Sequence, residues 1–328
     1  MNFIMKILGH FLEIFYRFTK NYGISIILLT IFAKVAVLPL ALNQVKAMKK
    51  NKEINPKIKE IQEKYKNDKE KKNLEIANLY KEHKLNPMSS CITSLMQPLI
   101  IFSLYWVIKK PIIYIMGVDY SEVWRIVRAC NEWATSYIKN NGNSSKSIEM
   151  LNDLSIANFG IHEIEIARQM FLHPEILKNE IITPNLFKNI TLINFNFLGM
   201  DLSSTPNFIS VTNLFFLKWK GNLNEIMLLT IPFFSGITTY FSNKLTLKQS
   251  QNTTPNSENI DVTNSMNSSM KWLAPILSAW ITFSTPAGLG IYWIISNLFQ
   301  IVQQFFIEKF FSNGKDKKII KAKAIETK

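Results

Sequence analysis

The stretch GISIILLTIFAKVAVLPLAL, residues 23–42, is apolar over the roughly 20 residues an α-helix needs to cross a bilayer. Its one charge is Lys34, and Pro39 is a break that a membrane helix tolerates near its end. At 1.5 Å per residue Lys34 lies roughly 16 Å from one end of the run and 12 Å from the other. A lysine stem that deep cannot snorkel to the interface as it does near helix ends, so its ammonium requires water or a partner.

Further apolar stretches follow at 91–108, 224–242, 272–285 and 289–307, and Pro286, Ala287 and Gly288 form a tight turn between the last two. None of these stretches carries a carboxylate away from its ends, which makes water the expected partner of Lys34. The chain has 328 residues, is 47% hydrophobic and bears a formal net charge of +14. Its mean hydropathy of +0.05 hides a segregation of apolar runs from lysine-dense ones, the pattern of a membrane protein with basic aqueous loops.

The fold expected is an all-α integral membrane protein with five spans. An outer interfacial helix (1–22) precedes span 1 (23–42), a helical hairpin in water (43–87), and span 2 with its extension (88–116). A long outer loop (117–223), span 3 (224–243), a mobile linker rich in Asn, Ser and Thr (244–271), spans 4 and 5 (272–309) and a basic tail (310–328) complete it. The first segment is read as a helix lying flat rather than a cleaved signal, because His10 and Glu13 interrupt its apolar region. Lys6, Gly9, His10, Glu13, Arg17 and Lys20 recur at helical steps opposite a face including Ile4, Leu8, Phe11, Phe15 and Phe18. In the hairpin, Asn55 and Pro56 look like the start of a helix continued by Ile58, Ile61 and Tyr65, with Asn67 and Asp68 as the turn. The excess of lysine in hairpin, linker and tail places these in the cytoplasm and leaves the N-terminus and the long loop outside. Trp124, Ile126, Val127 and Trp133 suggest amphipathic helices of that loop lying on the outer face.

Polar side chains recur inside the spans. Thr30 stands one turn from Lys34, span 2 carries the stripe Thr93, Ser94 and Gln97, and span 5 carries Trp293, Ser296, Asn297, Gln300 and Gln304. Each stripe taken alone reads as ordinary helix-to-helix hydrogen bonding; together with a central cation they point to a wet groove open to the cytoplasm. No phosphate-binding loop is present, and His10, His83, His162 and His173 lack metal-ligand spacing. Bond chemistry, a cofactor and a metal centre are therefore not expected. Cys91 and Cys130 build no disulfide framework. The hairpin lacks the aromatic interleaving of a nucleic-acid groove.

Several blocks resemble the YidC-type membrane protein insertases: SIILLTIFAKVAVLPL (25–40), NPKIKEIQEKY (55–65), LYKEHKLNPMSSCITSLMQPLIIFSLYWVI (79–108), NFLGMDL (196–202) and TPAGLGIYWIISNLFQIVQQ (285–304). The resemblance implies a five-helix core, an outer amphipathic helix, a cytoplasmic two-helix hairpin and a hydrophilic groove that receives client proteins in a bacterial cell membrane. It also implies that Thr30 and Trp293 contact the entering helix, and that Lys34 stands where the family usually has arginine. Lysine keeps the charge there without the planar fork of donors. Expected partners are newly made membrane proteins and lipid, with the ribosome, signal-recognition machinery and a translocon as further candidates. An anion transporter, which would show inverted repeats, and a passive membrane scaffold are the alternatives.

Overall fold

The computed structural model describes residues 2–83, 88–141, 159–184, 186, 190–207, 223–251 and 260–312. Two compact units divide the chain: Met1–Thr30, Leu99–Phe233 and Trp280–Trp293 in the first, Ile31–Pro98, Phe234–Ala279 and Ile294–Lys328 in the second.

The first unit begins with α1 (Asn2–Thr19), which turns at Lys20 (φ 52°) into α2 (Tyr22–Lys64). Asn21 caps the new helix, its Oδ1 accepting the Ile24 N–H at 3.0 Å. Met5, Leu8, Leu12 and Tyr16 form the buried face of α1, whereas Phe18 is 84% exposed. Of the apolar face read from the sequence, Leu8 is buried, Ile4, Phe11 and Phe15 are half-buried, and the side packed on protein runs through Met5, Leu12 and Tyr16. The cause is Gly9, where a Cβ would lie 2.1 Å from the Tyr114 carbonyl oxygen, so α1 packs closest to the protein along the Met5, Leu8 and Gly9 side. Phe3 and Phe18 are left pointing outward as free apolar groups.

After α4 (Met88–Lys109) and the short α5 (Pro111–Tyr114) the long loop folds into α6 (Tyr120–Asn141), α7 (Phe159–Leu172), a 3-10 turn (Pro174–Lys178) and a two-residue hairpin of β1 (Asn196–Phe197) and β2 (Met200–Asp201). Here the expectation of helices spread on the outer face is corrected. Val123, Ile126, Val127, Cys130 and Ala134 are buried as α6 packs on α5, α7 and the 3-10 turn, and Trp133 lies 4.3 Å from the His173 ring. Of the four residues singled out, only Trp124 remains largely exposed, because α6 spends its apolar face on protein packing. Within this core Glu163 is fully buried, and its Oε1 accepts the Ile113 N–H at 3.0 Å at the start of α5. Its other oxygen has no hydrogen-bond partner among the described residues. Burial pushes this carboxyl up to about 7 despite the bonds from Ile113 and the charge of Lys110.

In the second unit α2 continues unbroken through Pro39 and Pro56 to Lys64, so the helix expected to begin at Pro56 is instead the far end of the first span's own helix. An internal proline costs about 3 kcal/mol. Ile54 and Ile58, on either side of Pro56, are 3% and 2% exposed and pack with Leu79 of α3 (Lys69–Glu82), a face that only a continuous helix keeps aligned. Asp68 caps α3 by accepting the Lys71 N–H at 3.0 Å.

Next come α8 (Leu223–Gln251), α9 (Ile260–Phe283) and α10 (Ala287–Ser312). The linker expected to be mobile is helical over 244–251 and 260–271, since α8 and α9 extend past their apolar stretches; residues 252–259 and the basic tail from 313 lie outside the described residues.

Candidate functional site

Lys34 sits in the second unit, half-buried, between Phe32 and Val35, which are 41% and 51% exposed. Among the described residues no carboxylate pairs with it. Thr30, one turn earlier on α2, belongs to the first unit, is fully buried, and donates its hydroxyl to the Ile26 carbonyl at 2.7 Å. Thr93, Ser94 and Gln97 lie on α4, and their side chains are outside the described set.

On α10, Trp293 is half-buried in the first unit, whereas Asn297 and Gln300 belong to the second. Asn297 is 8% exposed, and its amide donates to the hydroxyls of Thr239 at 2.8 Å and Thr238 at 3.3 Å on α8. Thr239 in turn donates to Ser278 of α9 at 2.8 Å, and the Ser278 and Ser235 hydroxyls are 2.6 Å apart. Gln300 and Gln304 both donate to Thr246, at 3.3 and 2.7 Å. The amides of Asn297 and Gln300 thus tie α10 to α8, and Thr239 and Ser235 carry the neutral hydrogen bonds on to Ser278 of α9. The hydroxyls that complete the chain were legible only as small polar residues in SGITTYFS, residues 235–242, which the apolar reading absorbed into a span.

The same helices turn apolar side chains outward. Phe234, Ile237 and Phe241 on α8, Leu273, Ile276 and Leu277 on α9, and Leu298, Val302, Phe305 and Phe306 on α10 are 36% to 64% exposed. Exposed apolar surface on this scale is stable against lipid and unstable against water. Among the described residues only Tyr22–Lys46 is long and apolar enough to span by length and composition. Polar groups such as Thr238, Thr239, Asn297 and Gln300 lower the mean hydropathy of α8 and α10, and Leu99–Lys109 is a shorter apolar helix.

Helices that carry hydroxyls and amides inside and aromatic and branched side chains outside define an all-α integral membrane protein. The model of the 60Kd inner membrane protein family matches residues 14–315, and the chain belongs to that family, in agreement with the motif resemblance. A membrane protein insertase YidC of Caldanaerobacter subterraneus subsp. tengcongensis is 24% identical over 303 residues, which are 92% of each chain. Proteins of the same name from Fusobacterium nucleatum and Syntrophobacter fumaroxidans are 39% and 47% identical over 128 and 103 residues. Those stretches cover 38% and 31% of this chain, and 61% and 19% of the two relatives.

Proposed function

We propose that this chain is a membrane protein insertase and chaperone of the bacterial cell membrane, with its N-terminus outside and its C-terminus in the cytoplasm. It moves polar segments of clients along a groove and releases their helices into lipid, without bond chemistry or nucleotide hydrolysis. The observation that carries this reading is Lys34: a half-buried cation deep in an apolar helix, with exposed apolar neighbours and no carboxylate paired to it among the described residues. Such a charge persists at that depth only if water reaches it, and a wet cation shortens the apolar path of an acidic tail. Thr93, Ser94, Gln97, Asn297 and Gln300 supply the polar lining on neighbouring spans, while Thr30 and Trp293 precede Lys34 and Asn297 by one turn on their own helices. The lysine-rich hairpin and tail draw ribosomes, signal-recognition machinery or anionic lipid to the entrance, and a translocon takes over longer clients.

The test is insertion of a short single-span client with an acidic outer tail into vesicles holding only this protein. Lys34→Arg should retain activity and Lys34→Glu should lose at least about tenfold, since reversing the charge replaces attraction by repulsion. Equal insertion by all three proteins would refute an electrostatic role for this residue.

A further inference from the structure

The NFLGMDL block has no part in the proposed groove, yet its Asp201 bonds to Arg168, Ser203 and Asn224. Leu198 (φ 52°) and Gly199 (φ 82°) make a two-residue hairpin turn, with both central residues left-handed, which returns the chain on itself and brings Asp201 opposite Asn196. Asp201 Oδ2 accepts from Arg168 Nε of α7 at 2.5 Å, and Oδ1 accepts the Ser203 N–H at 3.0 Å and the Ser203 hydroxyl at 2.5 Å. The Asp201 N–H donates to Asn224 Oδ1 in the first turn of α8 at 2.9 Å.

The segment so fixed grips two more helix starts. The Gly288 and Ala287 N–H groups of α10 donate to the Leu202 and Ser204 carbonyls at 3.0 and 2.9 Å. Phe197 covers Gly23 of α2 so closely that a Cβ there would lie 2.3 Å from its ring, and Phe195 meets Tyr22 edge-on at 4.9 Å. Ile26, fully buried, is the next α2 side chain toward Gly288.

We infer that Asp201 is a positioning residue: its carboxylate, by accepting from Arg168 and Ser203 at once, sets the hairpin that ties the first turns of α2, α8 and α10 together and shuts this end of the helices to water. The inference rests on the insertase reading only for calling this end the outer one. A carboxylate is required because both oxygens accept, whereas an asparagine would turn an amide N–H₂ toward one of the two donors.

The test uses the full-length protein in vesicles with Cys91 and Cys130 replaced by alanine and Ile26→Cys as reporter. A membrane-impermeant maleimide is added from the side of the long loop. Asp201→Asn and Arg168→Gln should each speed labelling at position 26 at least about tenfold and lower client insertion, measured on protein that elutes as the folded species well below its melting midpoint; a residue serving folding alone would leave the labelling rate of the folded protein where it was. Ser203→Ala, which removes one donor, should give a rise of about twofold and carries the test if the other variants do not fold. Protection of position 26 in the folded variants would overturn the inference. Failure of the unsubstituted protein to insert clients would instead sink the functional reading and leave the labelling result standing.

Discussion

Each of the two units is held together internally by its own kind of electrostatics. In the first, Arg168 joins Glu165 and Asp201, Arg125 pairs with Glu122, Arg128 with Glu132, and a buried carboxylate meets the start of α5. In the second, α8, α9 and α10 are joined by Ser235, Thr238, Thr239, Ser278, Asn297 and Gln300, none of which carries charge. Ion pairs survive where at least one partner is part-exposed, as Arg168 and Glu165 are, and can be screened and resolvated. Between helices clad in Phe234, Phe241, Ile276 and Val302 a charge would have to be desolvated, and a hydroxyl or amide gives direction at a smaller cost.

The difference is broken most strongly where no charge is involved at all. Gly9→Val places its first atom 2.1 Å from the Tyr114 carbonyl, so α1 must move; the first unit should lose about 3 kcal/mol, read as a lowered melting midpoint. A Gly236→Ala control, whose Cβ would meet Pro275 and Ala279 at ordinary contact distance, should change it little.

Close behind in size is the pH response of Glu163. Its folded pKa of about 7 lies above the ordinary 4.5, so the native state holds the proton more tightly than the unfolded chain does. That contribution is present in full below the ordinary value and is lost as pH rises through 7, about 3 kcal/mol over the window. Melting followed from pH 5 to 8.5 should show this fall, and Glu163→Gln should flatten it. An equal slope in both proteins would mean that Glu163 ionises freely in the folded state.

In the neutral region, Asn297→Leu should cost about 1 kcal/mol by loss of its two hydroxyl partners. If insertion falls far more than stability, Asn297 also meets the client. The smallest effect belongs to the hairpin cap: Asp68→Ala should weaken α3 by about 0.5 kcal/mol, visible as faster amide exchange in its first turn.

Much of this architecture was legible in residue order. Lys34 stood out because nothing else in its run is charged, and Asp68 was readable as a turn because Asn67 precedes it and lysines follow. Pro56 misled because local propensity favours a helix start there, while the packing of Ile54 and Ile58 on Leu79 overrides it. The face of α6 was visible as amphipathic, but periodicity does not say whether protein or lipid covers it. Asn297 carried the same ambiguity: a polar stripe can line water or bind a neighbouring helix, and its partners, Thr238 and Thr239, lie nearly 60 residues away at separations of 59 and 58. Asp201 and Arg168, 33 residues apart, show no spacing that betrays their pairing.

The unbroken α2 has a mechanical corollary. Lys34 and the Ile54–Ile58 seam share one rod, so their azimuths are locked at about 100° per residue. Inserting a single residue between them would swing the hairpin a quarter turn or more around the charge, whereas seven added residues would restore the phase to within about 20°. The segment from Lys34 to Pro56 therefore behaves as a torsion bar, tolerant of substitution but intolerant of changes in length that are out of step with the helix.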